Sequence, residues 1–217
     1  AAIHIPSLYP SNVEEIIEFG VLGWALSRYC GLWIGIKCIN ETVEQTQTVD
    51  IDIENFNINL PDRGASANIV NLTPGFTPPV GQDMILKRHR LPLVHKFVRA
   101  NNIDKVKLNG KGGLGIVTSG KTYEDVLQAM NLIGLNNEKA EKLGIGIYKV
   151  GCIWPLEPLG LKEFAKDRPE LLFIEEKDAF IEDQAAKLLI NEKKHPQLIG
   201  KFDADGNAIF VSDELLD

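Results

Sequence analysis

The clearest alternation of apolar and polar positions lies in LGIVTSGKTYEDVLQAMNLI, residues 114–133. Leu114, Ile116 and Val117 form a short apolar run behind Gly112 and Gly113, and Thr118-Ser119-Gly120 is turn chemistry. Tyr123, Val126, Leu127, Met130 and Ile133 then recur at helical spacing, with Ser119 or Thr122 as the cap and Asp125 three residues past Thr122. The theme returns twice. IGIYKV (145–150) and LLFI (171–174) read as strands, each followed by a helical pattern. The first of these helices starts at Pro158 and buries Leu161, Phe164 and Ala165. The second, capped by Asp178, buries Ile181, Ala185, Leu188 and Leu189. Such alternation predicts an α/β layered domain. The end, LIGKFDADGNAIFVS, reads as a hairpin with a type I′ turn at Asp205-Gly206.

Upstream the pattern changes. Ile3-His4-Ile5 reads as a strand, and Ser11-Asn12 as the cap of a helix, with Glu14 completing a capping box. Ile16, Ile17, Phe19 and Leu22 supply its stripe, and Leu32 to Ile36 read as a buried strand. One strand–helix–strand unit cannot close a core, so residues 1–50 need a larger sheet. Trp24, Leu32, Trp33, Ile34 and Ile36 carry more apolar surface than such a unit hides, which predicts self-association through it. IDIENFNINLPD alternates like a half-exposed strand, and the Pro-, Gly- and Asn-rich stretch after it reads as a crossing segment. A helix is expected from Asp83 to Ala100, interrupted at Pro92. Its basic run, Lys87-Arg88-His89-Arg90, reads as a solvated face rather than an anion patch.

Composition narrows the classes. With 217 residues and 44% hydrophobic content the chain can build a core, and a net charge of −7 argues against nucleic-acid binding. No apolar run approaches the roughly 20 residues that span a bilayer, and no signal-peptide pattern stands at the start. The first residue is not Met and falls inside an element, which reads as a fragment or a processed product. Cys30, Cys38 and Cys152 are widely spaced, as reduced cytoplasmic thiols are, and lack the close repeats of a cluster site. His4, His89, His95 and His195 show no zinc spacing, and there is no GxSxG elbow. Glu175-Glu176 is a carboxylate pair, but strand neighbours point to opposite faces. No catalytic and no metal-ligating residue is assigned.

One motif needs a test. Gly115 to Thr122, GIVTSGKT, matches the phosphate-loop pattern GxxxxGK[ST]. In such a loop the spacer residues wrap phosphate after a strand has ended. Here Ile116 and Val117 sit where the strand itself belongs, and KVKLN upstream is too polar for a central strand. The stretch reads instead as a helix start. Ser119, Gly120, Lys121 and Thr122 remain a candidate anion site.

Four blocks, PSNVEEIIEFGVLGWALSRYCGLWIGIKC, GIVTSGKTYEDVLQAM, IGIYKVGCIWPLEPLGLKEFA and FIEEKDAFIEDQAAKLL, in this order, resemble indolepyruvate ferredoxin oxidoreductase. That family belongs to the thiamine-diphosphate-dependent 2-oxoacid:ferredoxin oxidoreductases. The resemblance implies an internal fragment of a longer enzyme. Residues 1–50 would be the tail of a pyrimidine-binding α/β domain, 51–101 a linker and crossing segment with a helix, and 102–217 a transketolase C-terminal-like domain. The last would be a three-layer α/β/α sandwich with a mostly parallel sheet. The parent enzyme would oxidatively decarboxylate an aryl 2-oxoacid to an acyl-CoA, using thiamine diphosphate, magnesium, [4Fe-4S] clusters and CoA, with ferredoxin as electron acceptor. None of those cofactors is expected on this chain. It would be a cytoplasmic packing and assembly domain, inactive alone, bound to the rest of the parent and homo-oligomeric, with no nucleic-acid or membrane partner. The alternatives are a phosphate-loop nucleotide binder using Gly115–Thr122 and a non-enzymatic interaction domain.

Overall fold

A computed structural model of the chain describes residues 3–52, 56–67 and 79–209. In chain order its strands are β1 (Ser7–Leu8), β2 (Gly35–Ile36), β3 (Lys105–Asn109), β4 (Leu114–Ser119), β5 (Gly146–Val150), β6 (Cys152–Trp154), β7 (Glu170–Ile174) and β8 (Gln197–Ile199). Its helices are α1 (Val13–Cys30), α2 (Asn40–Val43), α3 (Pro79–Ile85), α4 (Leu91–Ala100), α5 (Lys121–Leu132), α6 (Asn137–Lys142), α7 (Pro158–Ala165) and α8 (Phe180–Leu189).

The main sheet has five strands in the order β3-β5-β4-β7-β8. β4 lies at its centre, parallel to β5 and β7, and β8 continues parallel to β7. β3 pairs antiparallel to β5 at the edge. Central parallel strands are covered on both faces, so they read as continuous apolar runs. Alternation sends Ile116 and Ile147 into a core with Val126, Met130 and Ala140 of α5 and α6. It sends Val117, Tyr148 and Phe173 the other way, against Leu161, Phe164, Ile181 and Leu189 of α7 and α8. The result is a three-layer α/β/α sandwich with a mostly parallel sheet. The polarity of KVKLN places it at an open edge.

Residues 1–50 dock on this sandwich. β1 pairs parallel to β2 and antiparallel to β6, making a small second sheet with a strand from the main domain. α1 lies on α4, and Phe19, Leu22, Leu26 and Tyr29 share a core with Leu93, Val94, Phe97, Ile103 and Cys152. At the other end of α1, Glu15 reaches Lys149 on β5 at 2.5 Å. Of the five residues that predicted self-association, Leu32 and Ile34 are half-buried against this core, while Trp24, Trp33 and Ile36 remain 66%, 83% and 38% exposed.

Several expectations move. The first strand lies at Ser7–Leu8, because His4 adopts φ 54° and breaks the run before it. Leu32 to Ile36 contributes only the two residues of β2, since β1 offers a partner no longer than that. Among the described residues 51–52 and 56–60 form no strand. Here Asn101 replaces a neighbouring strand, its Oδ1 accepting from the Asn59 N–H and its Nδ2 donating to the Asn59 carbonyl, both at 2.8 Å. The 83–100 helix starts earlier, at Pro79, and is broken by a π-helical turn over Leu86–Arg90. Pro92 lacks the N–H that an α-helix would donate four residues back, and the widened turn absorbs its ring. The basic run does not form one patch: Lys87 pairs with Asp83 at 3.0 Å, His89 Nδ1 meets Ser66 Oγ at 3.1 Å, and Arg90 is buried. Leu198 and Ile199 join the main sheet in β8, and the expected hairpin is shorter and follows it: Phe202 bridges Ala208 antiparallel, with the Asp203 N–H donating to the Asn207 carbonyl at 2.9 Å. The turn that follows is not type I′. Gly206 takes φ 83° while Asp205 stays out of the left-handed region, and the Gly206 N–H donates to the Asp203 carbonyl at 3.2 Å. Residues 210–217 lie outside the described residues, as do 68–78 of the crossing segment.

Candidate functional site

The strand order creates one crevice by topology. The chain leaves β4 toward β5 on one side and leaves β7 toward β8 on the other. Beyond the carboxyl ends of β4 and β7 the connections therefore diverge, and in doubly wound sheets ligands bind in such a gap. Tyr9, Lys37, Ser119, Thr122, Ile153, Glu176 and Phe180 line a cavity of about 270 Å³ there.

Of the four residues of the candidate anion site, Ser119 and Thr122 line this crevice, but with other tasks. Gly115 to Ser119 are strand, hydrogen-bonded in register between β5 and β7, so the first five residues of the phosphate-loop pattern are extended. Only Gly120 turns. It adopts φ 53° and ψ −138°, a conformation open essentially to glycine, and a Cβ there would stand 2.3 Å from the ring of Tyr9. The Tyr9 ring thus covers the start of α5, where phosphate would sit. Lys121 forms an ion pair with Asp125 at 3.1 Å. The Thr122 hydroxyl lies 2.7 Å from the Ser119 carbonyl, 2.8 Å from Thr118 Oγ1 and 3.2 Å from the Ile174 carbonyl, which ties α5 to both strands and leaves no metal-binding role. Neither Ser119 nor Thr122 caps α5, whose cap residue is Gly120 without a side chain. This geometry removes the phosphate-loop alternative.

The crevice gains its polarity from residues that sequence patterns do not mark. Tyr9 is 4% exposed, and its hydroxyl has no hydrogen-bond partner among the described residues. Burial, then the Glu176 carboxylate, push its phenol far above the ordinary range, so it is a neutral donor. Lys37 places its Nζ 4.1 Å from the centre of that ring, and burial lowers its pKa. Both members of the carboxylate pair line the crevice, past the end of β7, but Glu175 is buried and accepts from the N–H groups of Ile181 at 2.7 Å and Glu182 at 2.9 Å. Glu175, not Asp178, therefore caps α8. Burial pushes its carboxyl up to about 7, against those two N–H groups.

The other buried acids are similarly committed. Glu15 caps backward, but to Ser11: its Oε2 accepts from the Ser11 N–H at 2.9 Å and from Ser11 Oγ at 3.0 Å, while Asn12 caps α1. The capping-box acid is thus Glu15 rather than Glu14, one residue on with the shifted cap. Glu157 accepts from Leu159 and Gly160 at the start of α7. Among the described residues no three His, Cys, Asp or Glu side chains converge as metal ligands would. Cys30 and Cys152 are buried, and burial pushes the Cys30 thiol up to about 11 and the Cys152 thiol well above its usual value. These donors do not fit an iron–sulfur cluster or a magnesium site. Among the described residues no helix is long and apolar enough to cross a membrane.

A doubly wound α/β domain with a filled switch-point crevice is the class that this geometry defines, and the comparisons with known proteins narrow it. The model of the indolepyruvate oxidoreductase domain matches residues 105–217, and the chain belongs to that family. No curated protein sequence matches. Among solved structures, 2-oxoglutarate:ferredoxin oxidoreductase from Magnetococcus marinus, with 2-oxoglutarate, coenzyme A and succinyl-CoA bound, aligns at 14% identity over 90% of this chain and 38% of that one, with a TM-score of 0.55. A split-gene transketolase, described as an inactive beta4 tetramer, aligns at 19% identity over 46% of this chain and 32% of that one, with a TM-score of 0.37. The chain spans about a third of the length of these structures. The likeness to the 2-oxoglutarate:ferredoxin oxidoreductase structure shows a shared α/β fold.

Proposed function

We propose that this chain is the transketolase C-terminal-like part of a thiamine-diphosphate-dependent 2-oxoacid:ferredoxin oxidoreductase acting on an aryl 2-oxoacid such as indolepyruvate. In that reaction the bond between carboxylate and keto carbons breaks, carbon dioxide leaves, an electron pair passes to ferredoxin, and the acyl carbon joins the CoA sulfur with release of a proton. Thiamine diphosphate would supply the decarboxylation chemistry, and iron–sulfur clusters the electron path. The donor sets of the described residues fit neither magnesium nor a cluster, so no step is assigned to this chain. Its own role is packing and assembly with the remaining polypeptide and with further copies. Residues 1–50, 51–101 and 102–217 would be the tail of the pyrimidine domain, the connecting segment and the C-terminal-like domain, acting in the cytoplasm.

The observation that carries this reading is the family match over residues 105–217. In support, the acids Glu15, Glu157 and Glu175 are taken up by a lysine or by helix N–H groups. Incubating the chain with indolepyruvate, CoA, thiamine diphosphate and an electron acceptor is expected to give no turnover above blank, while the full-length polypeptide turns over. Turnover by the chain alone would overturn the packing role. A full-length protein inert toward every aryl 2-oxoacid would favour a non-enzymatic interaction domain.

A further inference from the structure

A larger cavity lies elsewhere, along the edge strand β3. β3 runs to β4 through a short loop, Gly110–Gly113, that passes over the start of β5, the strand between them, with Gly112 at φ 78°, so this connection places no helix over β3. The end of α4 and α7 form the walls of an open groove of about 860 Å³. On its floor the Tyr148 ring stacks on Phe164 of α7, with centroids 5.3 Å apart and planes at 29°. The size is that of a nucleotide-scale site.

Charges in this groove divide into satisfied and unsatisfied groups. Arg99 grips Glu163 through two contacts of 2.9 and 3.0 Å and stands 3.6 Å from Glu157. Arg168 spends its guanidinium on the carbonyls of Phe164, Gly144 and Gly110. Lys111 and Lys166 also line the groove, and neither forms an ion pair with a described residue. Lys105 and Lys107 stand at its strand edge, but the register sets Lys105 beside Lys149 and Lys107 lies over the Tyr123 ring, so both belong to the opposite face of the sheet. Two unpaired cations at one end of the groove stand out on a chain of net charge −7. At the inner end Asp104 is half used. Its Oδ1 accepts from the Gly151 N–H at 2.8 Å and the Cys152 N–H at 2.9 Å, while Oδ2 is buried with no partner. A buried acceptor without a donor costs free energy that a ligand donor would recover.

We propose that this groove binds a phosphate ester of nucleotide size, its phosphates taken by Lys111 and Lys166 and a hydroxyl or amino group at its inner end donating to Asp104 Oδ2. Tyr148 offers its ring edge and hydroxyl to the same inner end. The lysines alone would hold any anion. Asp104 selects against pyrophosphate and sulfate, which carry no donor beyond the phosphate itself and whose charge it repels.

Calorimetric titration of the 217-residue chain with ADP, adenosine and inorganic pyrophosphate tests this. ADP should bind saturably and more tightly than pyrophosphate, and adenosine should give no saturable heat. The Lys111→Ala/Lys166→Ala double variant should weaken ADP by about tenfold or more. Asp104→Asn should weaken ADP yet leave pyrophosphate unchanged or tighter. If Asp104 acted only through its charge, the same variant would tighten both ligands, which would refute the donor contact. Lys121→Ala, at the crevice, should leave ADP binding as in the wild type. Absence of saturable ADP binding, or loss on Lys121→Ala with none in the double lysine variant, would overturn the assignment.

Discussion

Lys149→Met tests how residues 1–50 are fastened to the sandwich. The lysine is 2% exposed, with Nζ 2.5 Å from Glu15 Oε1, 2.6 Å from Ser11 Oγ and 4.4 Å from the centre of the Tyr123 ring. Met keeps the stem and removes the charge. The Glu15 carboxylate, 6% exposed, is then left with only the two Ser11 donors. Removing one partner of a buried pair costs about 3–5 kcal/mol. The loss has a ceiling, because the carboxyl can take a proton instead. From an ordinary value of 4.5, protonation at pH 7 costs about 3.4 kcal/mol. We therefore expect a loss of about 3 kcal/mol at pH 7 in urea unfolding followed by circular dichroism. The pH dependence carries the sharper test. In the wild type the charge and hydrogen bonds of Lys149, outweighing burial, hold Glu15 below its unfolded value, so its contribution is present above about 4.5 and lost as pH falls through the lowered value. In the variant only the two Ser11 donors oppose burial, which raises it, so stability is lost as pH rises. The difference between the two proteins should shrink to about 1 kcal/mol at pH 5. A loss below about 1 kcal/mol at pH 7, the worth of an exposed pair, or a loss equal at both pH values would refute the buried-pair argument.

Gly120→Ala meets the Tyr9 ring and an unfavourable φ together and should cost about 2–4 kcal/mol by the same unfolding assay. Tyr9→Phe removes a buried hydroxyl without a partner and should change stability by less than about 0.5 kcal/mol or raise it. Glu175 is raised to about 7 in the folded chain, so its stabilisation is complete below about 4.5 and is lost as pH rises through 7; the stability of Glu175→Gln relative to the wild type should therefore improve from pH 5 to pH 9, and an unchanged difference would count against the assignment. Light scattering should show self-association that Trp33→Ser weakens, since the Trp33 side chain is left uncovered by the rest of the chain.

The residue pattern by itself determined the three central strands β4, β5 and β7 and the helices α5, α7 and α8, because a strand buried on both faces and an amphipathic helix each write their period into consecutive residues; the edge strands β3 and β8 carry no such signal. Ile116 beside Val117 marks a central strand wherever the rest of the chain lies. The same local evidence weakened the phosphate-loop match, since strand-forming residues filled the spacer. Periodicity reports that a face is buried and not what covers it. Leu32 to Ile36 looked like a full strand because its apolar content could not show that β1 would be two residues long. Asp178 was the expected cap of α8 because capping motifs are read over a few residues, whereas Glu175 reaches its N–H groups by folding back from the end of β7. Tyr9 over Gly120, Glu15 on Lys149 and the open groove beside β3 were decided only by the tertiary structure. Each joins or leaves bare residues distant in the chain, and their affinity is a matter of shape, burial and charge that no local pattern carries.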